Sequence, residues 1–340
     1  MTSITVKRDL VYDATKNLQY DLFIPSNVDI KHTPILFVIH GGAWMIGKKE
    51  ALHDVALEMC KHLNVLVALP DYSLSQIDVK IPSIVMTIIA VCVIEFAVLL
   101  ISNEIRDRGL VTILIVFLFL VLLTLMVMLS LHMCQHRKEN NHPVHVKDIA
   151  CCIQRVCENL ESCDSTPILL LGHSAGAHIA SLVSLNAEYL QTCYLNRIRG
   201  VVAISGVYSF WRMQDSFTKY FLNQYVFRDM FSEYLSHADL ELMKTTNIEM
   251  YNYICSAWPI FHADKSKIHK PFFLIVTSDI DFALLQHATD FTNILKHNLS
   301  KVQHVHFPAT THFNIRKLWT SKNKHISSSI QHFLQLCLNR

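Results

Sequence analysis

The stretch PILLLGHSAGAHIASLVSL, Pro167–Leu185, carries most of the fold in nineteen residues. PILLL (Pro167–Leu171) is a short apolar run that reads as a buried strand, and AHIASLVSL (Ala177–Leu185) has the periodicity of a helix. Between them lies GHSAG, Gly172–Gly176, a G-x-S-x-G pentapeptide in a strand–turn–helix setting. That setting predicts a tight, strained turn that lifts the Ser174 hydroxyl above the C-terminal edge of a sheet, where open α/β sheets place their sites. Glycine at 172 and 176 removes the side chains that would crowd such a turn.

Outward from this turn the chain alternates strand-like and helix-like runs. YDLFIP (Tyr20–Pro25), PILFVIH (Pro34–His40) and NVLVALPDY (Asn64–Tyr72) read as strands, with a helix over Ala51–Leu63. A helix over Val146–Leu160 precedes the Ser174 strand, and GVVAIS (Gly200–Ser205) follows its helix. PFFLIVTS (Pro271–Ser278), a helix over Leu284–His297, VQHVHFP (Val302–Pro308) and a helix over Ser327–Leu338 complete the series. Such alternation predicts an α/β fold with a mainly parallel sheet covered on both faces.

The chain holds only eight glycines, and three of them fall in HGGAWMIG, at Gly41, Gly42 and Gly47. A glycine pair directly after a strand leaves backbone N–H groups free to face a developing negative charge. Gly41, Gly42 and Ala175 are therefore the expected oxyanion hole. A serine needs a base, which in turn needs a carboxylate, and in this fold the order is Ser, acid, His. The loop after PFFLIVTS offers Asp279, the preferred acid, and Asp281. The loop after VQHVHFP offers His312, whereas His304 and His306 lie within the strand. The expected catalytic set is Ser174, Asp279 and His312. The sequence contains no HExxH and no Cys/His ligand set, so neither a metal nor a cofactor is expected.

These residues resemble the α/β-hydrolase family. HGGAWxxG, GHSAGAH around Ser174, ISGVY (Ile204–Tyr208) and THF around His312 are similar to kynurenine formamidases and isoprenylcysteine methylesterases, relatives of the hormone-sensitive-lipase group. The spacing from Asp279 to Gln286 resembles the formamidase pattern. The family's PDYRL stands here as PDYSL (Pro70–Leu74), and IDFALL (Ile280–Leu285) lacks the proline common near the acid. The resemblance implies a serine carboxylesterase working through an acyl-enzyme on a small-molecule or lipidated ester. An arylformamidase-like amidase is the alternative enzyme, and a non-catalytic membrane protein on a hydrolase fold the alternative class.

One region does not fit that pattern. Residues 83–142 interrupt what would otherwise run from VKIP (Val79–Pro82) straight into HPVHVKDIA (His142–Ala150). They contain two candidate transmembrane helices, 84–102 and 110–131, joined by NEIRDRG (Asn103–Gly109). The second has no charge and exceeds the roughly 20 residues needed to cross a bilayer core. The first carries Glu95 near its middle, a residue whose insertion costs about 2.5–3.5 kcal/mol and which the surrounding Leu, Ile and Val offset. The expected architecture is one hydrolase domain, 1–82 and 143–340, with 209–261 as an aromatic-rich cap and 83–142 as a membrane hairpin.

Composition agrees with this division. The chain of 340 residues is 51% hydrophobic and 17% charged, with much of the excess in the hairpin. A net charge of +2 gives no reason to expect nucleic acid as a partner. The ten cysteines form no CxxC pair and are expected as buried, reduced thiols. The first residues lack the apolar core of a signal peptide, and Lys80, Arg137 and Lys138 outnumber Arg106 and Arg108 in the hairpin turn. The catalytic domain is therefore expected on the cytosolic face, at the endoplasmic reticulum, with membrane lipid as the hairpin's partner.

Overall fold

β3 (Ile35–Ile39) shows how the core is built. All five of its residues are buried, with Ile35, Phe37 and Ile39 on one face of the sheet and Leu36 and Val38 on the other. A strand apolar on both faces needs a layer on each. β5 (Ile168–His173) repeats the pattern, with Ile168 and Leu170 opposite Leu169 and Leu171.

The structure, a computed structural model, describes residues 3–75, 140–209, 237–265, 271–281, 284–298, 301–315 and 324–339. Their eight-stranded sheet has the order β1-β2-β4-β3-β5-β6-β7-β8. β1 (Ile4–Asp13) and β2 (Leu18–Pro25) form an antiparallel start, and β2 pairs antiparallel with β4 (Leu66–Pro70). From β4 onward every pairing is parallel, through β3, β5, β6 (Ile198–Ile204), β7 (Phe272–Ile280) and β8 (Val302–Thr311).

The helices of the described residues, in chain order, start with α1 (His53–Leu63), α2 (Val144–Asn159), α3 (Ala175–Leu185) and the short α4 (Thr192–Leu195). After them come α5 (His237–Thr246), α6 (Ile248–Ser256), α7 (Pro259–Lys265), α8 (Leu284–Asn298) and α9 (Lys324–Leu338). α2, α3 and α8 pack into the core on one face of the sheet, and α1 and α9 into the core on the other.

The expected strands and helices are present with ends shifted by a few residues. β1 was not expected, because its exposed and half-buried residues carry no strong apolar run. The helices α5–α7 lie in the region read as a cap; residues 210–236 of that region are outside the described residues. The two expected membrane spans, 84–102 and 110–131, also lie outside them. Among the described residues no helix is long and apolar enough to cross a membrane. On either side of the undescribed stretch the chain is tied to itself: Ser75 Oγ donates to the Asn140 carbonyl at 2.6 Å. The Ser75 amide donates to the Trp44 carbonyl at 2.8 Å.

Candidate active site

Ser174 sits between β5 and α3 with φ 55° and ψ −119°, a left-handed conformation that L side chains resist. The turn is held by the Ser174 amide, which donates to the Ile204 carbonyl at 2.8 Å. The glycines on either side are sterically required. A Cβ on Gly172 would lie 2.2 Å from the Gly176 carbonyl oxygen, and one on Gly176 would lie 2.3 Å from the Ile39 oxygen. Thus the pentapeptide packs backbone on backbone between β3 and α3, and the hydroxyl is left at the sheet edge.

His312 Nε2 lies 3.0 Å from Ser174 Oγ, and His312 Nδ1 lies 2.6 Å from Asp281 Oδ1. An ionised carboxylate only accepts, so Nδ1 carries the imidazole proton and Nε2 is free to accept the serine hydroxyl. His312 and Asp281 are buried. The second oxygen of Asp281 accepts from Ser205 Oγ at 2.8 Å and from the Ser278 amide at 3.3 Å. The His312 loop is anchored twice. Its amide donates to the Ile280 carbonyl at 2.7 Å, and its carbonyl accepts from His173 Nε2 at 2.8 Å.

Asp279, expected as the acid, is not at the site. Its carboxylate is 46% exposed and accepts from the Ala309 amide at 2.6 Å and from His306 Nε2 at 2.8 Å. Both bonds stabilise the ionised form and hold its pKa below the usual value, the Ala309 amide contributing most. The physical reason for the exchange is an irregularity at the β7–β8 edge. Ser278 faces Phe307, but Ile280 faces Thr311, so two residues of β7 span four of β8. The extra length, with Ala309 at φ 57°, carries His312 past Asp279 to Asp281. Gln286, whose spacing supported Asp279, instead donates to Asp290 at 2.9 Å. His304 and His306 share the Thr277 hydroxyl on β7 and stay outside the site.

The HGG turn lies against the nucleophile. A Cβ on Gly41 would come within 3.0 Å of Ser174 Cβ and 2.7 Å of the His173 oxygen, so the Gly41 backbone runs beside the serine. Gly42 has φ 125°, and its carbonyl accepts the Met45 and Ile46 amides. Ala175 is the first residue of α3, so its N–H has no partner within the helix. Gly41 and Ala175 thus lie beside Ser174, and Gly42 continues the turn from Gly41. His40 shapes the turn from beneath, with Nδ1 2.8 Å from the Gly41 carbonyl and its ring stacked on Tyr72. Burial pushes the His40 imidazole below its ordinary pKa.

Ser205, His173 and Asp281 are the residues that sequence reasoning passed over or ranked second. Ser205 was within the ISGVY motif, directly after an apolar strand run, and that position was the available signal; the structure adds its φ of 50°. Among the described residues no group of His, Cys, Asp and Glu side chains has the geometry to hold a metal ion.

Sheet order, strand–serine–helix turn and relay together define an α/β-hydrolase fold. A family model described as BD-FAE matches residues 129–295. A bacterial heroin esterase aligns with a TM-score of 0.60 at 15% identity, covering 99% of this chain and 84% of that one. An esterase from Pyrobaculum calidifontis aligns at 0.57 and 14%, covering 97% and 84%. A thermostable esterase from Pseudomonas putida ECU1011 aligns at 0.57 and 13%, covering 97% and 81%. No curated protein matches the chain.

Proposed function

We propose that the protein is a serine carboxylesterase that works through an acyl-enzyme. The observation that carries this reading is the relay Ser174–His312–Asp281, with contacts of 3.0 and 2.6 Å. His312 Nε2 takes the hydroxyl proton as Ser174 Oγ attacks the ester carbonyl. The N–H groups at Gly41, Gly42 and Ala175 bind the developing oxyanion, each worth about 2.7–4 kcal/mol of barrier. Collapse expels the alcohol, which receives its proton from His312. A water activated by the same imidazole then releases the acid. That the structural neighbours are esterases supports the reaction class.

Within that class the reading is a membrane-anchored enzyme acting on a lipid-borne ester, with a prenylcysteine methyl ester as the leading substrate. Support comes from the apolar runs 84–102 and 110–131 and from the Ser75–Asn140 tie, which brings together the two ends of the segment containing them. Ile46, beside the HGG turn, and Ile280 and Phe313, beside Asp281 and His312, are also exposed around the site. The proposed placement is on the cytosolic face of the endoplasmic reticulum, and glycosylation of Asn298 in cells would refute it.

A fluorophosphonate probe tests the chemistry. It should label Ser174 in the folded protein and not the Ser174→Ala variant; absence of labelling ends the enzyme reading. Parallel assays with a prenylcysteine methyl ester, a short p-nitrophenyl ester and N-formylkynurenine then separate the methylesterase, a general esterase and the formamidase.

A further inference from the structure

A second nucleophile–imidazole–carboxylate relay lies at the other end of β5. Cys163, in the loop from α2 to β5, has its Sγ 3.1 Å from His32 Nε2. His32, in the loop from β2 to β3, has its Nδ1 2.6 Å from Asp29 Oδ2. A nucleophile within reach of a base that a third group orients is the signature of an activated side chain. Ser174 follows the C-terminal end of β5 and Cys163 precedes its N-terminal end, so the six-residue strand separates them by about 20 Å. The two sites are independent.

The relay is braced by its surroundings. Asp29 Oδ1 accepts the Lys31 amide at 3.0 Å, which fixes the carboxylate. The Cys163 amide donates to the Lys31 carbonyl at 2.9 Å and joins the two loops. Buried Arg197 clamps the far side through Ser162 Oγ at 2.8 Å and the Thr166 carbonyl at 2.9 Å. Because His32 uses one ring nitrogen for each neighbour, the three groups form a line and do not converge as metal ligands would. The relay also stands open, with the His32 and Asp29 side chains each 64% exposed.

We propose that Cys163, His32 and Asp29 form a reactive-thiol site that undergoes thiol–disulfide exchange with low-molecular-weight disulfides. Asp29 holds the proton of His32 on Nδ1, so Nε2 accepts the thiol proton. The Cys163 thiolate attacks one sulfur of the incoming disulfide, whose S–S bond breaks as the new one forms. The departing thiolate takes the proton from His32. One disulfide is consumed, and one mixed disulfide and one free thiol result. The other thiols set the contrast. Burial raises the pKa of Cys60 to about 12 and pushes Cys157 upward, so both are poor nucleophiles. Cys193 is more exposed than Cys163, but its sulfur faces the Gln191 amide oxygen at 3.8 Å, which is not a base.

Cys193 is therefore the internal reference for the test. Full-length protein at pH 7 is treated with iodoacetamide or, separately, with oxidised glutathione, and modification of each cysteine is followed by peptide mass spectrometry. Cys163 should react at least ~10-fold faster than Cys193 with both reagents. His32→Gln should bring Cys163 to within about threefold of Cys193, and Asp29→Asn should give an intermediate rate. Unchanged melting curves verify that the variants fold. A wild-type Cys163 no faster than Cys193, or a rate unaffected by His32→Gln, overturns the proposal. Neither result bears on Ser174.

Discussion

Asp281 Oδ1 stands 2.6 Å from His312 Nδ1, although Asp279, two residues earlier, follows the same apolar strand run in the sequence. The two carboxylates have separate tasks: Asp281 orients the imidazole, and Asp279 secures the Ala309 amide in the irregular segment of β8. Asp281→Asn should lower kcat by roughly 10⁴-fold, because an amide does not hold His312 in the same tautomer. Asp279→Asn keeps an acceptor for Ala309 and should lose less than about tenfold. Steady-state kinetics on a p-nitrophenyl ester separates them, and a larger loss at Asp279 would reverse the assignment.

Ser205 reaches the reaction only through Asp281. Removing its hydroxyl leaves a buried carboxylate with one fewer charge-assisted bond, worth about 1.5–3 kcal/mol. Ser205→Ala should therefore reduce kcat by roughly tenfold or more with little change in KM. A change confined to KM would place Ser205 in substrate binding instead.

Gly41 gives the steric test of the oxyanion turn. A methyl group there would meet the His173 oxygen at 2.7 Å and Ser174 Cβ at 3.0 Å, so the turn must move away from the serine. Gly41→Ala should slow both turnover and fluorophosphonate labelling by about 10²–10³-fold, the size of one lost oxyanion donor. Retention of wild-type labelling rates would show that this backbone does not serve the reaction.

Buried histidines make stability depend on pH, His145 and His178 among them. Burial pushes His145 down to about 3 and His178 down to about 4, so both are neutral in the folded protein at pH 5. Their unfolded forms bind protons below about 6.5. Between pH 6.5 and 4 the unfolded state thus holds more protons, and stability falls as pH falls. Each residue contributes a slope of roughly 1 kcal/mol per pH unit. Denaturant titrations at pH 7 and pH 5 should show the loss, and His145→Gln should reduce it. Equal stability at the two pH values in the native protein would contradict the burial of these rings as neutral groups.

The strand–Ser174–helix turn, the HGG turn and the alternation of strands with helices could all be read along the chain. Each is a short-range pattern in which neighbouring residues are covalently tied. The same locality placed His312 after the last strand. It did not choose between Asp279 and Asp281, because that choice depends on two residues of β7 spanning four of β8, a register that forms only when the strands pair. Nor did it show Ser205 on Asp281, 76 residues apart, or Cys163 on His32, 131 residues apart. In neither pair does a periodicity or motif link one residue to the other. Which polar side chains meet there is set when sheet assembly brings the strand ends together.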